Sequence, residues 1–509
     1  MMILKLKDYK DQIAILFLWF PILFAINANL TDVLYFGLSK TANINAIRIF
    51  LYLTSFFFLI IYFFFNFKKI KLSNSIFFLY LLVFIIQSNF LFSENFNQFK
   101  IDYKIFFSGN IPNIIEYIKD YDIGLEVQSV YMMIGSFSAL LYYINFNNKK
   151  FHNTLKLKII FTSYIIAIIY LYFTFNMMVD FFLNDETILL YYSDYLAYNE
   201  VFGHVMTRST GVSRILAMIS IISLLFFFNY KNIYIRTLSL FFLIVINTII
   251  VLLASRFAIY SCTLIILLII FLIKLPNLKK MLILICVLII PYFTQHIIKE
   301  YKIYEIIVKK TDIEKITFFQ TFKSKNIKKN STENYSYKKI KKDFIKNTNI
   351  TTQRKFLKID KEKNNIQIET TGRTEIWKRV YGLFLNDKIN IWIGNGFQTD
   401  RKLLKGGKSD YYGSNISNAL LNIFVCSGIF GLLIFIYINI KILIRIYQFI
   451  FIKKIYNNFN SNFGLIISIN VLLFLYLRSL IENSISYYNL DFLIFLMILY
   501  IIDKESKII

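Results

Sequence analysis

Arginines placed at the ends of apolar runs are the first residues in this chain whose type and position point to chemistry. Arg208 and Arg214 stand where an apolar run begins, and Arg256 sits in a tight Ala254-Ser255-Arg256 hairpin between two more. A guanidinium held at such a place offers five donors in a rigid fork, which suits a phosphate or pyrophosphate group. The competing reading is an arginine that anchors a helix end at lipid headgroups. His204, four residues before Arg208, is the imidazole available if a base near neutral pH is needed, or else a solvated loop histidine. A second block runs from 371 to 431: Thr371-Gly372-Arg373, Trp377, Gly394-Asn395-Gly396, Ser417-Asn418, Gly428 and Gly431. Arg478 and Glu482 lie one helical turn apart, with Asp491 further on. Ionisable groups at membrane depth pair with one another or line a polar path, so these three are either glue between helices or part of a cavity wall.

Several chemistries lack their residues. Gly407-Lys408-Ser409 resembles the end of a nucleotide-binding P-loop, but the position of the earlier glycine holds Lys402 and no strand precedes it. His152, His204 and His296 lie on separate segments. Cys262, Cys286 and Cys426 fall inside apolar runs, where a thiol behaves as a small buried hydrophobe. No metal site is therefore expected, and no Asp-x-Asp pair is available for a metal-dependent sugar-nucleotide transferase. The net charge of +26 comes mainly from lysines flanking apolar runs and from one loop, without a stacking platform or groove-reading helix, so nucleic acid is not expected as a partner.

The elements that must position these residues are membrane spans. The 509 residues are 57% hydrophobic and 18% aromatic, with a mean hydropathy of +0.55, which marks an integral membrane protein. Apolar runs long enough to cross about 30 Å of hydrocarbon fall near 12–29, 49–66, 75–92, 128–146, 158–178, 211–229, 236–254, 257–273, 280–296, 416–438, 463–482 and 484–502. Unbroken runs without alternation argue for helices and against a barrel. The expected fold is all-α and polytopic, with about twelve transmembrane helices. The first run has no small-residue cleavage site behind it and is expected to remain as a span.

Lysines and arginines in the short loops set the orientation. Lys5, Lys7 and Lys10, Lys68 and Lys69, Lys149 and Lys150, Lys279 and Lys280, and Lys441 to Lys454 all fall on one face, which the positive-inside rule makes cytoplasmic together with both termini. The alternate loops at 93–127 and 179–207 are acidic. The chain then divides into spans 1–9 (1–296), one large external loop (297–415) and spans 10–12 (416–509). That loop holds 27 Lys and Arg against 13 Asp and Glu, and long loops translocate regardless of charge. Within it, 322–369 is rich in Lys and Asn and reads as a mobile insertion. Over 372–386, Ile376, Val380, Leu383 and Phe384 recur at helical spacing opposite Arg373, Lys378 and Arg379, which predicts an amphipathic helix on the outer membrane surface or over a cavity. Residues 441–457 read as a basic cytoplasmic connector.

With these motifs in place, the chain resembles the bacterial O-antigen polymerases and O-antigen ligases, which act on lipid-linked glycans at the outer face of the inner membrane. The family's Arg and Gly before a span is similar to Arg208-Ser209-Thr210-Gly211, and its Ser-Arg hairpin to Ser255-Arg256. Its Gly-Arg-x-x-x-Trp and Gly-x-Gly resemble Gly372-Arg373 with Trp377, and Gly394-Asn395-Gly396. The ligase signature of His, then Asn, Ser or Gln, nine residues, Gly, two residues and Gly is matched by Asn418, Gly428 and Gly431, with Ser417 where the family has histidine. That histidine is the proposed base of the ligases, so its replacement turns the resemblance toward polymerisation.

The resemblance implies a metal-independent glycosyl transfer without a cofactor. A glycan on undecaprenyl pyrophosphate would be donor, a sugar hydroxyl of a second lipid-linked unit acceptor, and a flippase and chain-length regulator partners in the inner membrane. Arg208, Arg256, Arg373 and His204 would be catalytic. Arg214, Arg379, Trp377, Ser417, Asn418 and Arg478 would bind substrate. Ligation onto a lipid A core and transport of polysaccharide are the alternatives.

Overall fold

The computed structural model describes residues 75–88, 209–252, 256–297, 301, four short strands between 327 and 368, 373–397, 399–404, 416, 418–482, 484–487 and 490–506. Two compact units emerge, one of 163–369 and one combining 1–162 with 370–509.

In the 163–369 unit, α2 (Ser209–Asn229) packs against α3 (Ile233–Leu252) and α4 (Arg256–Leu272), and α3 also meets α5, which runs from Asn277 to Ile297 with a π-turn at Ile285–Ile289. Apolar surface alone gives helices in lipid no reason to associate, so interhelical polar contacts and close packing decide the arrangement. Asn247 of α3 supplies such a contact. Its Oδ1 accepts from Ser220 Oγ of α2 at 2.7 Å, and its Nδ2 donates to the Val287 carbonyl of α5 at 3.0 Å. A π-turn loosens the ladder of i→i+4 bonds, and the Val287 carbonyl inside it finds its partner in Asn247.

The expected loop insertion is not featureless. Ile327–Lys329 (β1) pairs antiparallel with Glu333–Tyr335 (β2), and Leu357–Asp360 (β3) with Asn365–Ile368 (β4). These two hairpins depart from the all-α expectation over 322–369. The Leu357-Lys-Ile-Asp360 and Asn365-Ile-Gln-Ile368 strands alternate apolar and polar residues with period two, a pattern that the high Lys and Asn content obscures.

In the other unit, α1 (Ser75–Gln87) lies against α8, which runs from Ala419 to Tyr447 and continues through a π-turn to Ile452. Between them in sequence come α6 (Arg373–Leu385) and α7 (Thr399–Leu404); α9 (Phe463–Ser479) and α10 (Leu490–Ser506) pair beyond. An aromatic knot joins three of these elements. Tyr80 of α1 meets Phe492 of α10 edge-on at 5.4 Å and Tyr487 at 6.0 Å, and Tyr487 meets Phe435 of α8 at 5.5 Å. The Tyr487 hydroxyl donates to the Gly431 carbonyl at 3.1 Å, so a ring that fills the core also satisfies its polar end.

Among the described residues, Ile233–Val251, Asn277–Ile297 and Ala419–Ile452 are long and apolar enough to cross a membrane, and Ser213–Asn229, Phe257–Leu272 and Phe463–Ser479 are shorter apolar helices. The expected runs at 12–29, 49–66, 128–146 and 158–178 lie outside the described residues. Two boundaries differ from the sequence reading. Part of the expected 441–457 connector is helix: Ile442, Ile446, Phe449 and Ile450 keep a buried stripe to the end of α8, while Lys441 rests over the Tyr437 ring at 4.4 Å. The last helix begins at Leu490, six residues later than expected, because Ser484 to Tyr487 form turns that carry polar contacts to α8 and α9.

Candidate functional site

The Gly-x-Gly segment and the break in α8 form one interlocked structure. Gly428 interrupts α8 with φ 62° and ψ −164°, a conformation closed to residues with a side chain. In a continuous helix the Ile429 amide would reach the Val425 carbonyl, and the Phe430 amide the Cys426 carbonyl. Both pairs are opened and filled by the loop after α6. Ile429 N donates to the Ile391 carbonyl at 2.8 Å and Phe430 N to the Trp392 carbonyl at 3.3 Å, while Asn395 N donates to Val425 O at 2.9 Å and Gly396 N to Cys426 O at 3.0 Å. The four backbone groups that the break would orphan are therefore satisfied by four groups of the loop.

Close approach of two backbones demands the glycines. A Cβ at Gly394, which has φ 69°, would strike the backbone of Cys426 and Ser427, and one at Gly428 would strike the backbone of Trp392 and Ile393. The loop is also tied to itself. Asn390 Oδ1 accepts from Trp392 N at 3.1 Å and Ile393 N at 3.2 Å, and the Asn395 side chain accepts from Asn390 N at 2.8 Å and donates to Lys388 O at 2.7 Å. Gln87 at the end of α1 completes the joint, accepting from Phe397 N at 3.1 Å and donating through Nε2 to Ser427 Oγ.

This joint holds α6 against α8. Val380, Ile389, Ile416 and Val425 form a buried cluster, with Ile376, Leu383 and Phe384 of α6, Leu403 of α7, and Leu421 and Phe424 of α8 packed around it. The helix ends in a Schellman-type turn, Lys388 N to Leu383 O at 3.0 Å and Asp387 N to Phe384 O at 3.2 Å, with Asp387 at φ 55°. The apolar side of α6 is thus covered by protein. Lys378 and Arg379 are exposed on it, and Trp377 is half-buried, its indole Nε1 enclosed without a hydrogen-bond partner.

Asn418 caps α8. Its Oδ1 accepts from Leu421 N at 3.0 Å, and its Nδ2 donates to the Leu480 carbonyl at the end of α9 at 2.9 Å. Arg478 is buried and donates through Nη1 to Ser484 Oγ at 3.0 Å and to Asp491 Oδ2 at 3.1 Å. Of the two readings of Arg478, Asp491 makes it a link between α9 and α10. The acid sits in the first turn of α10, where the helix dipole also favours a negative charge. Glu482 joins through its backbone, Glu482 N to Arg478 O at 2.8 Å.

Asn418, Trp377, Arg379 and Arg478 therefore share the unit that contains 370–509, together with Arg373, the first residue of α6. Arg214, buried in α2, and Arg256, the first residue of α4, belong to the 163–369 unit. His204, Arg208 and Ser417 lie outside the described residues. Sequence reasoning missed Asp400, whose Oδ2 accepts from Ile416 N at 3.2 Å and Asn422 Nδ2 at 3.0 Å, as well as Gln87 and Ser427. Asp400 follows Gly396 by four residues and opens a short helix, the one local signal that was available. Among the described residues no group of His, Cys, Asp and Glu could hold a metal ion.

These features define a helical membrane protein whose longest described span is broken and latched by a loop. Residues 240–436 match the family model described as O-antigen ligase, so this part of the chain is similar to that family. The match runs from α3 into α8, ending after Gly428 and Gly431. It takes in Arg256, Arg373, Trp377, Arg379, Ser417 and Asn418, and leaves His204, Arg208, Arg214 and Arg478 outside. Members of that family are glycosyltransferase-like enzymes that work on lipid-linked glycans in a membrane. No curated protein gives a match to the chain.

Proposed function

We propose that this chain polymerises lipid-linked oligosaccharide repeat units, moving the growing glycan from undecaprenyl pyrophosphate to a sugar hydroxyl of the next unit at the periplasmic face of the inner membrane. The observation that carries the reading is the latch between 390–396 and the broken α8. It gives α6 a rigid seat, so that Arg373 at its start and exposed Lys378 and Arg379 are held by the same unit as the Asn418 cap. Preorganised cations there would meet a leaving pyrophosphate without rearrangement, which is where electrostatic catalysis gains most. Arg208, Arg256 and His204, which fall in the 163–369 unit, keep the catalytic roles that the resemblance implies for them. The polymer is a surface polysaccharide: O-antigen, capsule or another exopolysaccharide.

The reading of polymerase over ligase rests on Ser417, which cannot act as an imidazole base. The ligase reading draws on the match itself, since the family model that covers 240–436 is described by ligation. The two differ in product. Reconstituted chain supplied with undecaprenyl-pyrophosphate-linked repeat units is expected to yield a ladder of longer glycans still on the carrier lipid. Single repeats delivered onto a lipid A core acceptor, with no ladder, would establish ligation instead.

A further inference from the structure

We propose that Asp400 is a positioning residue that ties the Ile416 backbone amide to the Asn422 side chain across position 417. Asp400 is 1% exposed, and it stands in the first turn of α7, whose start is tied to the glycine loop by Thr399 Oγ1 donating to the Gly396 carbonyl at 2.8 Å. One oxygen, Oδ2, accepts both the Ile416 amide and the Asn422 amide nitrogen. Ile416 is the residue before Ser417, and Asn422 lies in the first turn of α8, one turn after the Asn418 cap. A single carboxylate oxygen therefore joins three things: the loop latched across the α8 break, the chain entering the motif, and the helix leaving it. On the far side, Asn418 is fixed by its cap to Leu421 and by its bond to Leu480.

A carboxylate is suited to this task because it accepts two donors at one oxygen, and charge-assisted bonds of this kind are about twice as strong as neutral ones. The role is to hold geometry and not to touch substrate: the two donors that Oδ2 receives come from protein. Its functional arm rests on the transfer reading above and on the substrate-binding role that the resemblance implies for Ser417 and Asn418; its structural arm does not.

The test uses Asp400→Ala and Asp400→Asn, each in the full chain. In Asp400→Asn the amide oxygen can stand where Oδ2 stood and accept from the same two donors without the charge, which separates the geometry from the carboxylate. A nitroxide on Ser417→Cys reads local mobility independently of any activity. Asp400→Ala is expected to narrow that spectrum, and Asp400→Asn to leave it close to that of the unmutated chain. Glycan ladders should fall by roughly tenfold or more in Asp400→Ala, as expected for a displaced site, and persist in Asp400→Asn. Binding of undecaprenyl pyrophosphate, followed by tryptophan fluorescence, should change less than about twofold, since displacement of the site is expected to act on transfer.

An unchanged nitroxide spectrum in Asp400→Ala overturns the proposal. So does an Asp400→Asn variant that keeps the spectrum but makes no polymer, because that result makes the carboxylate at 400 a chemical participant. If the unmutated chain makes no polymer while the spectra behave as expected, the transfer reading fails and the positioning role stands.

Discussion

Replacing Gly428 by alanine sets two demands of the structure against each other. Alanine favours a continuous α8 by about 1 kcal/mol over glycine, yet the native backbone at this position, φ 62° and ψ −164°, is one it adopts only at a cost of about 1–3 kcal/mol. Its methyl group would also strike the Trp392 carbonyl and the Ile393 amide nitrogen, both backbone, so no side-chain rotation relieves the contact. The loop must retreat. Ile429 N and Phe430 N then lose Ile391 O and Trp392 O, and two unmet backbone groups in an apolar setting cost about 1–3 kcal/mol each. Straightening the helix would recover those two bonds but would strand Asn395 N and Gly396 N. The net loss is on the order of 4 kcal/mol, or a fall of roughly 5–10 °C in the melting temperature of the detergent-purified chain. Gly382→Ala in α6 is the matched control, because a Cβ there meets nothing within 4 Å; it should be neutral or stabilising by about 0.5–1 kcal/mol. Equal melting temperatures for Gly428→Ala and the unmutated chain, with polymer formation intact, would refute the claim that the break and the latch depend on each other.

Arg478→Ala should destabilise the chain by about 3–5 kcal/mol because it leaves buried Asp491 without its cation, and Asp491→Asn should cost less, both read as melting temperatures in detergent. Arg256→Ala and Arg373→Ala are expected to abolish polymer longer than one repeat unit while the protein remains in the membrane, with lysine rescuing poorly because it cannot bond bidentately; normal ladders in both would remove them from the mechanism. Ser331→Cys should react with an impermeant maleimide in intact spheroplasts, and reaction only after permeabilisation would reverse the proposed orientation. Ser417→Ala should leave the ladder nearly unchanged, whereas Ser417→His restores the ligase-type signature, and transfer onto a lipid A core acceptor by that variant would count for the ligase reading.

How far the sequence could be read depended on how local each determinant was. Apolar runs are local, so the helices at 209–229, 233–252, 256–272 and 463–479 lie where hydropathy places them. The spacing of Ile376, Val380, Leu383 and Phe384 is local too, and α6 spans Arg373–Leu385. What covers that face is not local, because Ile416 and Val425 come from a part of the chain forty residues away. The two glycine motifs were visible as motifs, but each reads alone as a flexible turn or as small-residue helix packing. Only the exchange of Val425, Cys426, Ile429 and Phe430 partners for loop residues shows that each motif is the other's reason. Asp400 was harder still. A lone acid in a basic loop has the composition of a solvated residue, and nothing in its neighbours announces that its oxygen is sealed against Ile416 and Asn422. Asp400 is buried where Asp387 is exposed, and a carboxylate withdrawn from water is retained only where fixed donors replace its hydration. The donors it found lie on either side of Ser417, the position at which the chain departs from the O-antigen ligase signature that it resembles. A serine in place of the signature's imidazole, with Ile416 and Asn422 tied together across it, fits a chemistry relying on placement and cations more than on a base at 417.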